Sequence, residues 1–262
     1  MMNLKKITKK INLILCLFLT SISLYGILST SIETIVVQSE IAQFVSKGEY
    51  VEEISSRTVK YYRIESDEEK PAFTLHNGIR LLGSSGDILL ATGSPFPDIP
   101  FVNEFISFFF GQHAALVAGD YEGKAPYNGK KISITKYDVI ETTGLADKKE
   151  DNCVSYFPNN FHNRYEEIIG LRPKNATQTD YDKILSYAYE NMYKPYNYSF
   201  VFNTKNKYYC TDLVSRAYKS AGFDLNHDHI ATTVNDLITS EDSYIFLYQI
   251  VRDGVRHVYY LD

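Results

Sequence analysis

The sequence contains no tryptophan and only three cysteines among its 262 residues. One of the three, Cys16, lies in an apolar N-terminal stretch, so the remaining chain can form at most one disulfide, between Cys153 and Cys210. No internal repeat or low-complexity tract is visible. Apolar residues make up 44% and charged residues 23% of the chain, which indicates a globular fold with a sizeable core rather than disorder.

Clusters of basic residues are missing from most of the chain. The net charge is −5, and the first thirty residues hold four lysines (Lys5, Lys6, Lys9 and Lys10) and no acidic residue. The rest carries 23 basic and 32 acidic side chains, a net charge of −9. Nucleic-acid binding depends on clustered lysine and arginine, so we expect no nucleic-acid partner.

The N-terminus has the layout of an export signal. The four lysines precede an apolar run over residues 11–28, about as long as the 18–20 residues that cross a bilayer as a helix. A convincing small-x-small cleavage site is missing, and Leu15 before Cys16 does not fit a lipoprotein anchor. We therefore expect residues 1–30 to be a signal anchor, with a cleaved signal peptide as the alternative. Either one places the body outside the cytoplasm, at the cell membrane or secreted.

The remaining chain predicts an α+β fold. Apolar spacing predicts a helical lead over residues 31–62, weakened at Gly48, and a polar linker up to residue 70. The main domain is expected over residues 71–262. Its predicted strands cover residues 87–91, 114–118, 132–135, 139–142, 244–251 and 257–261. One helix is expected to start at Thr179, with Asp182 completing a capping box, and another near Cys210, with Gly222 after its end.

Cys210 is the candidate nucleophile. It lies in the first turn of an amphipathic helix, where unpaired backbone N–H groups and the helix dipole stabilise a thiolate. Leu213 and Val214, three and four residues later, place it on the buried face of that helix. The alternative interpretation of this segment alone is a small buried hydrophobic residue.

A thiolate needs a proton carrier, and histidine is the usual one. Of the six histidines, His113 leads into an apolar strand and shares a face with Ala115 and Val117, whereas His227 and His229 flank Asp228 in a polar loop. A lone His-x-His is weak evidence for a metal site, so no metal or cofactor is expected. Glu141 is the candidate for the group that orients the imidazole, because a carboxylate within an apolar strand is seldom buried without a partner.

Four segments carry these residues in a specific order: Gly86-Asp87-Ile88-Leu89-Leu90, then Gln112-His113-Ala114-Ala115-Leu116-Val117, then Val139-Ile140-Glu141, then Pro195-Tyr196-Asn197 followed by Tyr209-Cys210-Thr211-Asp212-Leu213-Val214. In this order they resemble the permuted papain-like amidases of the YaeF/YiiX type, within the NlpC-like superfamily. Thr211 and Asp212 stand where that family has serine and glutamate, and Asn197 stands where it has aspartate.

The resemblance implies a circularly permuted papain-like fold, with a small antiparallel sheet against which the Cys210 helix packs. It also implies a cysteine amidase or peptidase that hydrolyses amides through a thioester. In that mechanism Cys210 attacks, His113 moves the proton and Glu141 holds the imidazole, while Tyr196 and Tyr209 contact the substrate. For an extracytoplasmic enzyme of bacterial origin, a peptidoglycan peptide would be a suitable substrate.

Two alternatives stay open at the level of the sequence. The phenylalanine-rich segment over residues 101–110 and the expected membrane tether also fit a lipid-directed thiol hydrolase or acyltransferase. A disulfide between Cys153 and Cys210 would instead fit a non-catalytic binding module at the membrane.

Overall fold

A computed structural model describes residues 4–92, 113–144, 148–200, 204–226 and 231–262. Its helices are α1 (Leu4–Val45), α2 (Phe161–Arg164), α3 (Gln178–Glu190), α4 (Cys210–Ser220) and α5 (Val234–Thr239). Its strands are β1 (Glu49–Val51), β2 (Val59–Ile64), β3 (Phe73–His76), β4 (Ile79–Leu82), β5 (Ile88–Ala91), β6 (His113–Val117), β7 (Tyr121–Lys124), β8 (Lys131–Ile134), β9 (Asp138–Thr142), β10 (Val154–Pro158), β11 (Glu167–Pro173), β12 (Ser243–Arg252) and β13 (Val255–Leu261).

Nine strands form one sheet in the order β1-β2-β13-β12-β11-β5-β6-β9-β10. Each neighbouring pair is antiparallel except β13 and β2, which are parallel. The α+β class is therefore confirmed, but the expected small antiparallel sheet was wrong: the sheet is large and mixed. Strands from both ends of the chain extend the sheet, and no local sequence pattern predicts that these strands pair with each other.

The sheet separates two apolar clusters. On one face, α3, α4, α5 and the last turns of α1 contribute side chains to a cluster that includes Ile88, Leu116 and Ile140. On the other, Phe161 of α2 and Leu82 of β4 pack with Leu89, Val117 and Val139. Alternate residues of β5, β6 and β9 thus enter opposite clusters, as the two-residue period of a strand requires. The central strands are buried on both faces.

The helical lead was predicted correctly only as far as Val45. Beyond Gly48 the chain forms β1 and β2, and the register of β2 against β13 runs from Val59 with Arg256 to Ile64 with Leu261. Part of the segment assigned to a lead and linker over residues 31–70 therefore belongs to the main sheet. Aromatic and β-branched residues favour a strand here once β13 offers hydrogen bonds.

Helix α1 is continuous across the expected boundary at residue 30. Its C-terminal part is anchored by Val37, Ile41 and Phe44, whose spacing places them on one buried stripe. Apolar side chains nearer the N-terminus, such as Ile14 and Leu28, are more than half exposed. Within the described residues, no helix combines the length and apolar character that crossing a bilayer requires.

The two helices predicted for the main domain are both present. α4 begins at Cys210 and ends before Gly222, whose φ of +100° is the left-handed conformation expected after a helix C-terminus. α3 starts two residues earlier than predicted, because Thr177 and Asp180, rather than Thr179 and Asp182, form the capping box. Both pairs satisfy the same sequence pattern, so spacing alone could not choose between them.

A buried ionic cluster joins the start of β5 to the segment that precedes β3. Asp87 is fully buried and bonds Arg172 of β11 through both of its oxygens, at 3.0 and 2.9 Å. Lys70 Nζ lies 2.7 Å from the same carboxylate, and the backbone N–H of Ser84 donates to it at 2.8 Å. Such a buried charge is tolerated only when it is fully paired, which explains an aspartate at the head of an apolar strand.

Gly86, just before Asp87, should tolerate no side chain. Its φ is +85°, and a Cβ there would lie 2.5 Å from the ring of Tyr181. Gly129 is the matched control, because its φ is +70° but a Cβ there would meet nothing within 4 Å. We expect Gly129→Ala to lower the free energy of unfolding in urea by about 1 kcal/mol and Gly86→Ala by about 2–4 kcal/mol. Equal losses would show that strain alone, without steric overlap, determines the cost.

Candidate active site

Cys210 is the first residue of α4. Tyr209 precedes it in extended conformation and caps the helix without a side-chain hydrogen bond, so the first-turn N–H groups are not capped by that residue. Leu213 and Val214 are fully buried and α4 packs on β6 and β9, while Cys210 itself is only partly buried. The thiol therefore lies where a helix N-terminus meets two central strands.

His113 and Glu141 lie on those two strands. β6 pairs with β9 so that Ala115 faces Glu141, and His113 comes two residues before Ala115 on the same face. His113 Nε2 is 2.9 Å from Glu141 Oε2. This bond leaves Nδ1 as the other ring nitrogen, and Cys210 lies near enough to the ring to act on the pKa of His113.

The electrostatics of the three residues favour a charged imidazole. Burial acts to lower the pKa of His113, but the neighbouring Cys210 and the hydrogen-bonded Glu141 outweigh it and raise this pKa to about 9. Burial also acts to raise the pKa of Glu141, which is 1% exposed, yet His113 and Arg164 hold that pKa below its usual value. The arrangement therefore favours a protonated imidazole beside an ionised carboxylate.

Arg164 is the functional candidate that the sequence did not reveal. It ends α2, and its Nη1 lies 2.9 Å from Glu141 Oε1 and 3.1 Å from Oε2. Its Nη2 donates to the hydroxyl of Tyr165 at 3.0 Å. An isolated Phe-His-Asn-Arg-Tyr segment carries no recognisable motif. The only available signal was that a buried glutamate facing one histidine still requires a second partner.

Aromatic side chains surround the histidine. The ring centres of Phe161 and Tyr165 each lie 6.1 Å from that of His113. Burial raises the pKa of the Tyr165 hydroxyl to about 12, and the charges of Glu141 and Cys210 act in the same direction. Tyr165 therefore stays a neutral hydrogen-bonding group throughout the physiological range.

Tyr196 and Tyr209, the predicted substrate contacts, occupy different surroundings. Tyr196 is partly buried, and the charge of Cys210 contributes, after burial, to raising its pKa. Its ring packs so closely on Gly144 that a Cβ there would lie 2.6 Å away. Tyr209 is 5% exposed and its hydroxyl accepts a hydrogen bond from Thr232 N at 2.7 Å, so it anchors the start of α4. The structure thus brings Tyr196, more than Tyr209, to an accessible position beside the thiol.

Several residues weighed in the sequence lie elsewhere. His76 packs on Tyr137, and His257 Nδ1 is 3.1 Å from the hydroxyl of Tyr62. His227, His229, Gln112 and the segment over residues 101–110 lie outside the described residues. Cys153 and Cys210 are both free thiols. Within the described ranges, no group of three or more His, Cys, Asp or Glu side chains is placed to hold a metal ion.

The sequence model of the permuted papain-like amidases (YaeF/YiiX, family C92) matches residues 84–247, well over half of the chain. The chain belongs to this family. The resemblance seen in the four sequence segments is therefore confirmed. Permuted papain-like amidases are hydrolases of amide bonds, and the matched region contains Cys210, His113, Glu141 and Arg164.

Among solved structures, this C92-family chain is similar to YiiX from Escherichia coli O157:H7, whose structure is described as that of a metalloprotein. The two share 15% sequence identity with a TM-score of 0.45, over 64% of this chain and 98% of YiiX. No curated protein matches the chain.

The contacts of His113 predict how its pKa changes when the neighbouring Glu141 is replaced by a neutral residue. Replacing Glu141 with glutamine removes the carboxylate that stabilises the imidazolium, so the pKa of His113 should fall from about 9 toward the ordinary value of 6.5. NMR titration of the His113 ring measures this pKa directly. Glu122→Gln, on the exposed strand β7, is the control and should leave it unchanged. An unaltered titration in Glu141→Gln would contradict the electrostatic role given to Glu141.

Proposed function

We propose that this protein is a cysteine amidase that cleaves its substrate through a thioester, with Cys210 as nucleophile, His113 as proton carrier and Glu141 as the group that orients the imidazole. One observation carries the proposal: the His113–Glu141 hydrogen bond lies near Cys210 at the N-terminus of α4, and both the thiol and the carboxylate act to raise the pKa of the imidazole. Membership in a family of amidases supports the reaction class.

In the first half of the reaction, the Cys210 thiolate attacks the carbonyl carbon of the amide. A C–S bond forms, and the carbonyl oxygen takes the negative charge of the tetrahedral intermediate. The intermediate collapses as its C–N bond breaks, and the leaving nitrogen receives the proton from the His113 imidazolium. The products are a free amine and a thioester on Cys210, with a neutral imidazole still bonded to Glu141.

In the second half, His113 takes a proton from water, whose oxygen attacks the thioester carbonyl. The C–S bond breaks, the carboxylic acid departs, and the thiolate–imidazolium pair is restored. Negative charge develops on the carbonyl oxygen in both halves. The backbone N–H of Cys210, at a helix start and not capped by the Tyr209 side chain, is the natural donor to that oxygen.

We further propose that the substrate is an extracytoplasmic amide, with a peptidoglycan peptide as the leading class. The support is the lysine-led apolar layout of residues 1–30 and the exposure of apolar side chains along the N-terminal part of α1. These features suit a chain that is exported or tethered at the membrane by its N-terminal helix.

Substitution of the proposed machinery should abolish hydrolysis. Cys210→Ala and His113→Ala should each lower turnover by about 10³-fold or more, because they remove the nucleophile or its base. Glu141→Gln should lower turnover by a smaller factor. The assay follows release of free amine from soluble peptidoglycan stem peptides and from N-acyl amides. Cys16→Ser and His76→Ala are matched controls and should retain full activity. Full activity in Cys210→Ala would refute the proposed mechanism.

Thiol reactivity tests the same proposal without a known substrate. At pH 6 the His113 ring holds its proton, so a thiolate paired with it should react with iodoacetamide about 10-fold or more faster than the exposed Cys16. His113→Ala should reduce the Cys210 rate to that of Cys16, as measured by peptide mapping of the full-length protein. Equal rates for both cysteines in the unmodified protein would refute the proposed ion pair.

A further inference from the structure

Glu141 is a buried carboxylate whose two oxygens face two different partners. It is 1% exposed, and its Oε2 lies 2.9 Å from His113 Nε2 and 3.1 Å from Arg164 Nη1. Its Oε1 lies 2.9 Å from the same Nη1. A single guanidinium nitrogen therefore bridges both oxygens. This fixes the rotation of the carboxylate about its own axis.

Arg164 is itself held in place on several sides. Its Nη2 donates to Tyr165, and its guanidinium carbon lies 5.2 Å from the Tyr165 ring centre and 5.7 Å from that of Phe161. The turn that carries it is supported by Gln249, whose buried Nε2 lies 3.4 Å from the carbonyl oxygens of His162 and Tyr165. The arginine is thus preorganised, although its side chain is 34% exposed.

The protonation of Glu141 determines which tautomer the imidazole adopts. A carboxylate only accepts, so the neutral ring must present Nε2–H to Glu141 and keep its lone pair on Nδ1, toward the thiol. A protonated carboxyl would donate to Nε2 instead, and Nδ1 would then carry the hydrogen. In that tautomer the ring cannot take a proton from Cys210. Burial by itself favours the protonated carboxyl, so a nearby cation is required.

We propose that Arg164 is a positioning residue that keeps Glu141 a pure hydrogen-bond acceptor, and thereby fixes the catalytic tautomer of His113. This inference rests on the function proposed above and extends it to a residue that touches neither thiol nor imidazole in the contacts described. The guanidinium acts through the carboxylate, because one of its charged nitrogens contacts both carboxylate oxygens.

The charges around His113 give the inference a definite sign. Cys210 faces the ring from α4, Glu141 from β9, and Tyr165 from the end of α2, with Arg164 behind Glu141. Removing the guanidinium leaves a buried carboxylate without its cation, so the His113–Glu141 pair should hold its proton more tightly. The ring should then titrate at higher pH. Simple loss of packing would expose the ring and move its titration down, toward pH 6.5.

The experiment is NMR titration of the His113 ring in the full-length protein and in three variants. In Arg164→Gln we expect the midpoint to rise by about one pH unit, opposite in sign to the effect of Glu141→Gln. Arg164→Lys keeps the positive charge, so its midpoint should return most of the way to that of the unmodified protein. Arg63→Gln is the matched control, since Arg63 lies on β2 and, among the acidic residues that the structure describes, pairs only with Asp262, at 3.9 Å. The His113 ring of this variant should titrate at the same pH as in the unmodified protein.

A midpoint that is unchanged or lowered in Arg164→Gln, or shifted equally in Arg63→Gln, would overturn the role of Arg164. If Arg164→Gln does not fold, the double variant Glu141→Gln, Arg164→Gln is used to test the inference instead. This variant should fold because it buries no unpaired carboxylate. The His113 titration midpoint of the double variant must match that of Glu141→Gln. A difference of about one pH unit between these two variants would show that Arg164 does not act through Glu141. Iodoacetamide reactivity of Cys210 in the unmodified protein tests the proposed function separately. Fast, His113-dependent reaction with no Arg164 effect would leave the function standing and remove this inference.

Discussion

Pairing of the buried Glu141 carboxylate is the constraint on which the candidate site depends. A carboxylate with 1% of its surface exposed is tolerated only with charge-assisted hydrogen bonds, and His113 and Arg164 supply them. The carboxylate in turn raises the proton affinity of the imidazole. The stability of this region and its reactivity therefore have one physical origin.

The fold provides the rigidity that such pairing needs. β6 and β9 are neighbouring interior strands of a nine-stranded sheet, so His113 and Glu141 are placed by a continuous hydrogen-bond register. α4 packs on the same two strands and carries Cys210 at its first position. At the other end of β5 and β6, the buried Asp87–Arg172–Lys70 cluster ties the preceding segment to the sheet. A site built on central strands keeps its distances better than one built on loops.

Local pattern was most reliable where an element lies in the core. The six predicted strands of the main domain are present within one or two residues, because runs such as Ala114-Ala115-Leu116-Val117 bury both faces. β11 escaped prediction, although it is central, because glycine, arginine and proline interrupt its apolar pattern. Its Arg172 can be buried because Asp87, the second residue of the Gly86-Asp87-Ile88-Leu89-Leu90 segment, pairs with it. β2 escaped because its partner β13 lies almost two hundred residues away along the chain, and β1 pairs with β2.

The sequence by itself determined the identity and order of the three proposed catalytic residues, the helix that begins at Cys210 and the family to which the chain belongs. These follow from short-range chemistry: a helix start, an apolar strand and a charged residue within one. Only the tertiary structure decided that Arg164 bonds Glu141, that Tyr209 anchors α4 while Tyr196 lies beside the thiol, and that the N-terminal strands complete the sheet. Those contacts join segments far apart in the chain, and their free energy comes from burial and charge pairing that no local pattern encodes.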